Sequence, residues 1–200
     1  PFNGGVDEIA FYTNVLTEAD VLAHYQLGTN SFRAPLAPPG FLQQPASREN
    51  FAGTLASFTV VANGTTPLSY QWKRGSTPVA GATQSTYSFI CAYPADDAAA
   101  ISVTVTNRVG STNSEVAILT VLTNLDILYQ PFSVTRNVGS KAAFRVVAHG
   151  ALPITYQWYK GSDPLPGATN DTLWLNNVQF ADAANYHARA TGPFAAADSA

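Results

Sequence analysis

Three histidines, His24, His149 and His187, and one cysteine, Cys91, are the only soft metal ligands in this chain of 200 residues. No two of the histidines stand at a helical ligand spacing, and Cys91 has no partner, so the pattern of a zinc site is missing. A reactive thiol needs a neighbouring histidine or a cationic pocket, and nothing local to Cys91 supplies one; it reads as a small apolar core residue. No G-x-S-x-G, P-loop or G-x-G-x-x-G string occurs. Asp7 and Glu8 are adjacent on a predicted strand, so they point to opposite faces and cannot act as paired carboxylates. Asp96-Asp97 is either two of the six or more oxygens that a calcium ion needs or, more simply, a turn anchor. The chain therefore reads as non-catalytic, with no cofactor and no metal.

Four side chains are candidates for surface contact: Trp174, Tyr159, His187 and Arg189. Trp174 lies between Leu173 and Leu175, which are expected to face inward, so it is expected to face solvent. Its counterpart one repeat earlier is Ser88. An exposed Trp supplies rigid apolar area for a protein or a sugar ring, or is covered by a neighbouring loop. Tyr159, His187 and Arg189 are expected to face outward from the opposite sheet. The two groups thus do not make one platform.

These positions follow from a repeat. Gln44-Pro45, Phe58, Gly64, the run Pro67 to Trp72 and Gly81-Ala82-Thr83 recur as Gln130-Pro131, Phe144, Gly150, Pro153 to Trp158 and Gly167-Ala168-Thr169, each pair 86 residues apart. A unit of that length is a domain rather than a solenoid turn. Within each unit short segments alternate apolar and polar residues, as half-buried strands do: Phe58, Val60 and Ala62, then Tyr70 and Trp72, then Tyr87 and Phe89, then Ile101, Val103 and Val105. Strands at this spacing between Pro- and Gly-bearing turns argue for an all-β chain of two tandem sandwiches.

Composition agrees. Charged residues make up 12% of the chain, against about 25% in ordinary domains. The net charge of −3 and the absence of a basic run exclude nucleic acid as an expected partner. No apolar run approaches the roughly 18 residues of a membrane span. The chain opens at Pro1 and holds no Met, which reads as an excerpt or a processed product. Asn63-Gly64-Thr65 and Asn170-Asp171-Thr172 are N-x-T sequons in predicted turns.

Each unit resembles the bacterial immunoglobulin-like domains found in tandem on large secreted proteins. The resemblance rests on the third-strand Trp72 and Trp158 and on Asp182 to Tyr186, which matches the tyrosine corner. In the first unit Asp97 and Ile101 stand at the matching spacing, without the hydroxyl. The positions of the bridging cysteines of antibody domains correspond to Val60 and Val103, then Val146 and Ala188, so the resemblance implies sandwiches without a disulfide. Gly4 to Tyr12, Leu16 to Asp20 and His24-Tyr25 resemble the last strand and closing helix of a laminin-G-like (concanavalin-type) jelly roll, with Thr17 as helix cap.

The expected organisation is thus a jelly-roll tail over 1–30, a Pro-rich linker over 31–40, one sandwich over 41–122 and a second over 127–200 whose last strand is missing. A missing strand would leave an unpaired edge near Tyr186 to Ala190, open to self-association. Three functional readings stand: a stalk or adhesive array of a secreted or surface protein, meeting protein or glycan; a subunit of a filament joined by strand donation from Gly5 to Tyr12; and an accessory region of a secreted glycan-active enzyme.

Overall fold

A computed structural model of the chain describes Val15, residues 17–22 and residues 36–200. The chain forms two compact units, 1–37 and 38–200. In the first, residues 18–22 are helical. The Thr17 hydroxyl accepts the Asp20 N–H at 3.2 Å while the Asp20 carboxylate accepts the Thr17 N–H at 2.9 Å, a reciprocal cap. Gly5 to Tyr12, His24 and Tyr25, which carry most of the jelly-roll resemblance, lie outside the described residues.

The second unit holds both sandwiches. The first comprises β1 (Gly40–Gln43), β2 (Arg48–Phe51), β3 (Leu55–Thr59), β4 (Val61–Asn63), β5 (Ser69–Arg74), β6 (Thr77–Pro78), β7 (Thr86–Ile90), β8 (Ala99–Thr106), β9 (Ser111–Asn113) and β10 (Ala117–Leu122). One layer is made by β1 on β4 and β3 on β7. The other runs β2-β10-β8-β5-β6, with β9 also on β8. The period-2 alternation places Phe58, Val60, Trp72, Ile101, Val103, Leu119 and Val121 in the core between the layers. The Trp72 indole N–H donates to the Gln84 carbonyl at 2.8 Å, which satisfies the one polar atom of the ring. Cys91 is fully buried there.

The second sandwich comprises β11 (Leu125–Tyr129), β12 (Ala142–Arg145), β13 (Val147–Gly150), β14 (Thr155–Lys160), β15 (Asp163–Pro164), β16 (Thr172–Leu175), β17 (Tyr186–Thr191) and β18 (Ala196–Asp198). Its layers are β11 on β13 with β12 on β16, and β15-β14-β17-β18. Its buried cluster is Val146, Trp158, Leu173 and Ala188. Trp158 again donates to a loop carbonyl, that of Asn170, at 2.9 Å. The four positions that would hold bridging cysteines, Val60, Val103, Val146 and Ala188, are all buried and pack in these cores.

Two sequence expectations are corrected. The edge expected to be unpaired near Tyr186 to Ala190 is partly covered: β18 pairs with β17, Arg189 opposite Asp198 and Thr191 opposite Ala196. β18 is the counterpart of β9, which covers Thr104 to Thr106 of β8 in the same way. The edge near Arg189 and Ala190 is therefore paired. The second correction concerns the corner. The acid equivalent to Asp182 is Asp96, not Asp97: Arg74 pairs with Asp96 as Lys160 pairs with Asp182. The first unit holds one extra residue between this acid and Ile101 of β8, the equivalent of Tyr186 of β17, absorbed near Ala98 at φ 57°. Asp97 instead accepts the Val121 N–H at 3.0 Å.

Candidate functional surfaces and the junction

Trp174 sits on β16 opposite Ala143 of β12 and is 63% exposed. At the same cross-strand place the first sandwich has Ser88 opposite Ser57, and the Ser88 hydroxyl donates to that of Ser57 at 2.7 Å. A small polar pair is thus replaced by a large ring over a small residue. The ring stands clear of the sheet because Ala143 presents nothing to cover it.

On the other layer Tyr159 of β14 lies opposite His187 of β17. Their rings are stacked, 4.9 Å between centroids and 7° from parallel. Arg189, one pleat further, bonds Asp198 of β18 at 2.8 Å. This pair replaces an uncharged one, in which the Thr104 hydroxyl donates to Asn113 at 2.6 Å. The structure brings Tyr159, His187 and Arg189 onto one face of one sheet and leaves Trp174 on the other. Among the described residues no group of three or more His, Cys, Asp or Glu is placed to hold a metal ion. Asp96 is engaged by Arg74 and by the Ala92 N–H at 2.8 Å.

Asp182 is held below the usual carboxylate range, chiefly because its oxygen accepts the Gln179 N–H and then because Lys160 lies beside it. It belongs to the corner, where the Tyr186 hydroxyl donates to the Asp182 carbonyl at 2.9 Å.

The most developed contact zone is the junction between the two sandwiches. β10 ends at Leu122 and β11 begins at Leu125, so two residues join the sandwiches. The Leu152 N–H donates to the Ala52 carbonyl at 2.8 Å, and the Ala52 N–H to the Leu122 carbonyl at 2.9 Å. A continuous backbone relay therefore crosses the junction. Phe51 meets His149 edge to face at 4.4 Å, and Tyr93 meets Phe194 at 5.5 Å. Ala151 is buried as part of the first sandwich's core. The approach is close enough to demand glycine: a Cβ on Gly53, whose φ is +82°, would stand 2.8 Å from the Leu152 carbonyl oxygen. One signal was readable in advance. The link has neither Gly nor Pro, which limits its freedom.

No family model matches the chain. Endoglucanase C of Cellulomonas fimi is 31% identical over 199 residues, covering 92% of this chain and 18% of that protein. Human Kin of IRRE-like protein 1 is 30% identical over 130 residues, covering 63% of this chain and 16% of that protein. The chain thus spans less than a fifth of the length of either relative. Among solved structures, a chimeric titin Z1Z2 carrying an exogenous decorin peptide superposes with a TM-score of 0.57 at 20% identity, over 83% of this chain and 95% of that one. Similarity at this level is one of fold: this chain has the architecture of tandem immunoglobulin-like domains.

Proposed function

We propose that residues 38–200 act as a non-catalytic extracellular spacer, a stiff pair of immunoglobulin-like sandwiches that sets the position of neighbouring domains in a larger secreted or surface protein and offers a protein-contact face. The observation that carries this reading is the junction. A flexible tether needs a long polar link; here two residues, a backbone hydrogen bond and two aromatic pairs oppose bending. Low charge, the absence of a catalytic constellation among the described residues and the lack there of any helix long and apolar enough to cross a membrane are compatible with it. The jelly-roll resemblance of 1–30 belongs to the same reading, as the tail of a domain that the spacer would carry.

The test is a distance measurement between spin labels at Ser76→Cys and Ser162→Cys, equivalent turn positions in the two sandwiches, with buried Cys91 left in place. A stiff spacer gives one narrow distance distribution. A distribution as broad as that of a free two-domain tether would remove the reading.

The identity to endoglucanase C favours a second reading, an accessory region of a glycan-active enzyme. Trp174 is the side chain that would meet a sugar ring. Migration in gels cast with soluble polysaccharides, compared with Trp174→Ala, tests it. Unretarded migration on every polysaccharide counts against sugar binding and leaves the spacer reading untouched.

A further inference from the structure

We infer that the outer face of β12 and β16, with the neighbouring residues 129–132, is a groove for a neutral polysaccharide: Trp174, Phe132 and Tyr129 stack on its sugar rings and Arg145 bonds its hydroxyls. The inference rests on the accessory-region reading and deepens it, giving the ligand a charge class and a site.

The two repeats share a fold, so a surface difference between equivalent positions is not one that folding requires. On this face the first sandwich carries Gln43, Ala46, Ser57, Thr59 and Ser88. It is a small, hydroxyl-bonded surface: Ser88 donates to Ser57 at 2.7 Å, and the Thr59 and Thr86 hydroxyls lie 3.0 Å apart. One repeat later the same positions hold Tyr129, Phe132, Ala143, Arg145 and Trp174. Three rings have been placed on one face of one repeat. Phe132 is 77% exposed and Tyr129 63%. That exposure belongs to the positions themselves, since Gln43, Ala46 and Ser88 are exposed in the first sandwich too.

The strand register gathers these rings. Tyr129 opposes Val147, and Trp174 opposes Ala143, so directly opposite side chains share a side of the sheet. Tyr129, Phe132, Ala143, Arg145 and Val147 line a cleft of about 680 Å³, within the roughly 300–1,000 Å³ of small-ligand sites. Trp174 stands beside that cleft over Ala143. The floor is low, and aromatic side chains rise on both flanks of β12.

Charge selects the ligand. Arg145 is the charged side chain lining the cleft. Asp171 lies 3.6 Å from it, beyond hydrogen-bond reach, so it balances the charge without consuming the guanidinium donors. Thr172, opposite Arg145, donates its hydroxyl to Asp171 at 3.0 Å. A neutral ligand with apolar ring faces and hydroxyl edges complements this arrangement. A polyanion would meet Asp171 beside Arg145. An apolar protein surface would desolvate the ion pair without supplying the hydrogen bonds that sugar hydroxyls offer.

The experiment runs the whole chain in gels cast with hydroxyethylcellulose, mixed-linkage β-glucan, galactomannan or polygalacturonate, and titrates the neutral polymer that retards it most by Trp fluorescence. Trp72 and Trp158 are fully buried, so the exposed Trp174 dominates any change. The expected result is retardation by a neutral polymer and not by polygalacturonate, with a blue shift that Trp174→Ala abolishes. Phe132→Ala should weaken binding at least about tenfold. Tm should stay unchanged in both, because each removes an exposed ring. Ser88→Ala, the equivalent position in the first sandwich, should leave retardation as it is. Retardation indifferent to both Trp174→Ala and Phe132→Ala overturns the inference and leaves the accessory-region reading standing on another face. Preference for polygalacturonate overturns it as well. Free migration in every gel removes the inference and the accessory-region reading together.

Discussion

Trp72 and Trp158 occupy the same place in the two repeats, yet the residues that lock the corners beneath them differ. In the second sandwich a Tyr186 hydroxyl closes onto the Asp182 carbonyl. In the first, Arg74 pairs with the buried Asp96 carboxylate, and its guanidinium lies 4.4 Å from the Phe89 ring centroid. Tyr186→Phe removes one hydrogen bond and should cost about 1 kcal/mol in chemical denaturation. Arg74→Leu strands a buried carboxylate and should cost more, about 2 kcal/mol. Asp182 supplies a pH test. Its carboxyl is depressed in the folded chain, so its stabilisation is present above the unfolded value of 3.8 and is lost as pH falls through the lower folded value. Asp182→Asn should therefore flatten the stability of the second sandwich below about pH 4, read from Tm against pH. Spacing alone matched Asp97 to the corner because a one-residue insertion is invisible until Arg74 and Lys160 show which acid each repeat uses.

At the scale of strands, the clasp of Ser199 on Ala188 decides whether β18 stays on the sheet. The hydroxyl accepts the buried Ala188 N–H at 2.8 Å. Ser199→Ala leaves that donor without a partner and should cost about 1–3 kcal/mol. Faster hydrogen exchange at amides 188–190, with the β14 side unchanged, is the expected signature. The alternation of apolar residues was enough to anticipate the core faces of β3, β5, β8 and β14, because a strand buried on one face must repeat every second residue. It was not enough for β18. Ala196 to Ala200 is too short and too uniform to declare a face, and the strand exists because Ser199 and Gln130 repeat the bonds of Ser114 and Gln44.

For the molecule as a whole the junction is the deciding feature. Gly53→Ala places a Cβ against the Leu152 carbonyl at a positive φ and should separate the sandwiches without unfolding either. Calorimetry should then resolve two transitions in place of a more cooperative one, and the Ser76–Ser162 label distance should broaden. The amino-acid sequence determined by itself that there are two sandwiches, which residues fill them, and that no disulfide joins their layers, since an 86-residue repeat, a period of two and a cysteine count are properties of order along the chain. Only the tertiary structure decided how the two meet. That outcome depends on contacts between residues far apart in sequence, such as Ala52 with Leu152 and Phe51 with His149, which no local pattern records.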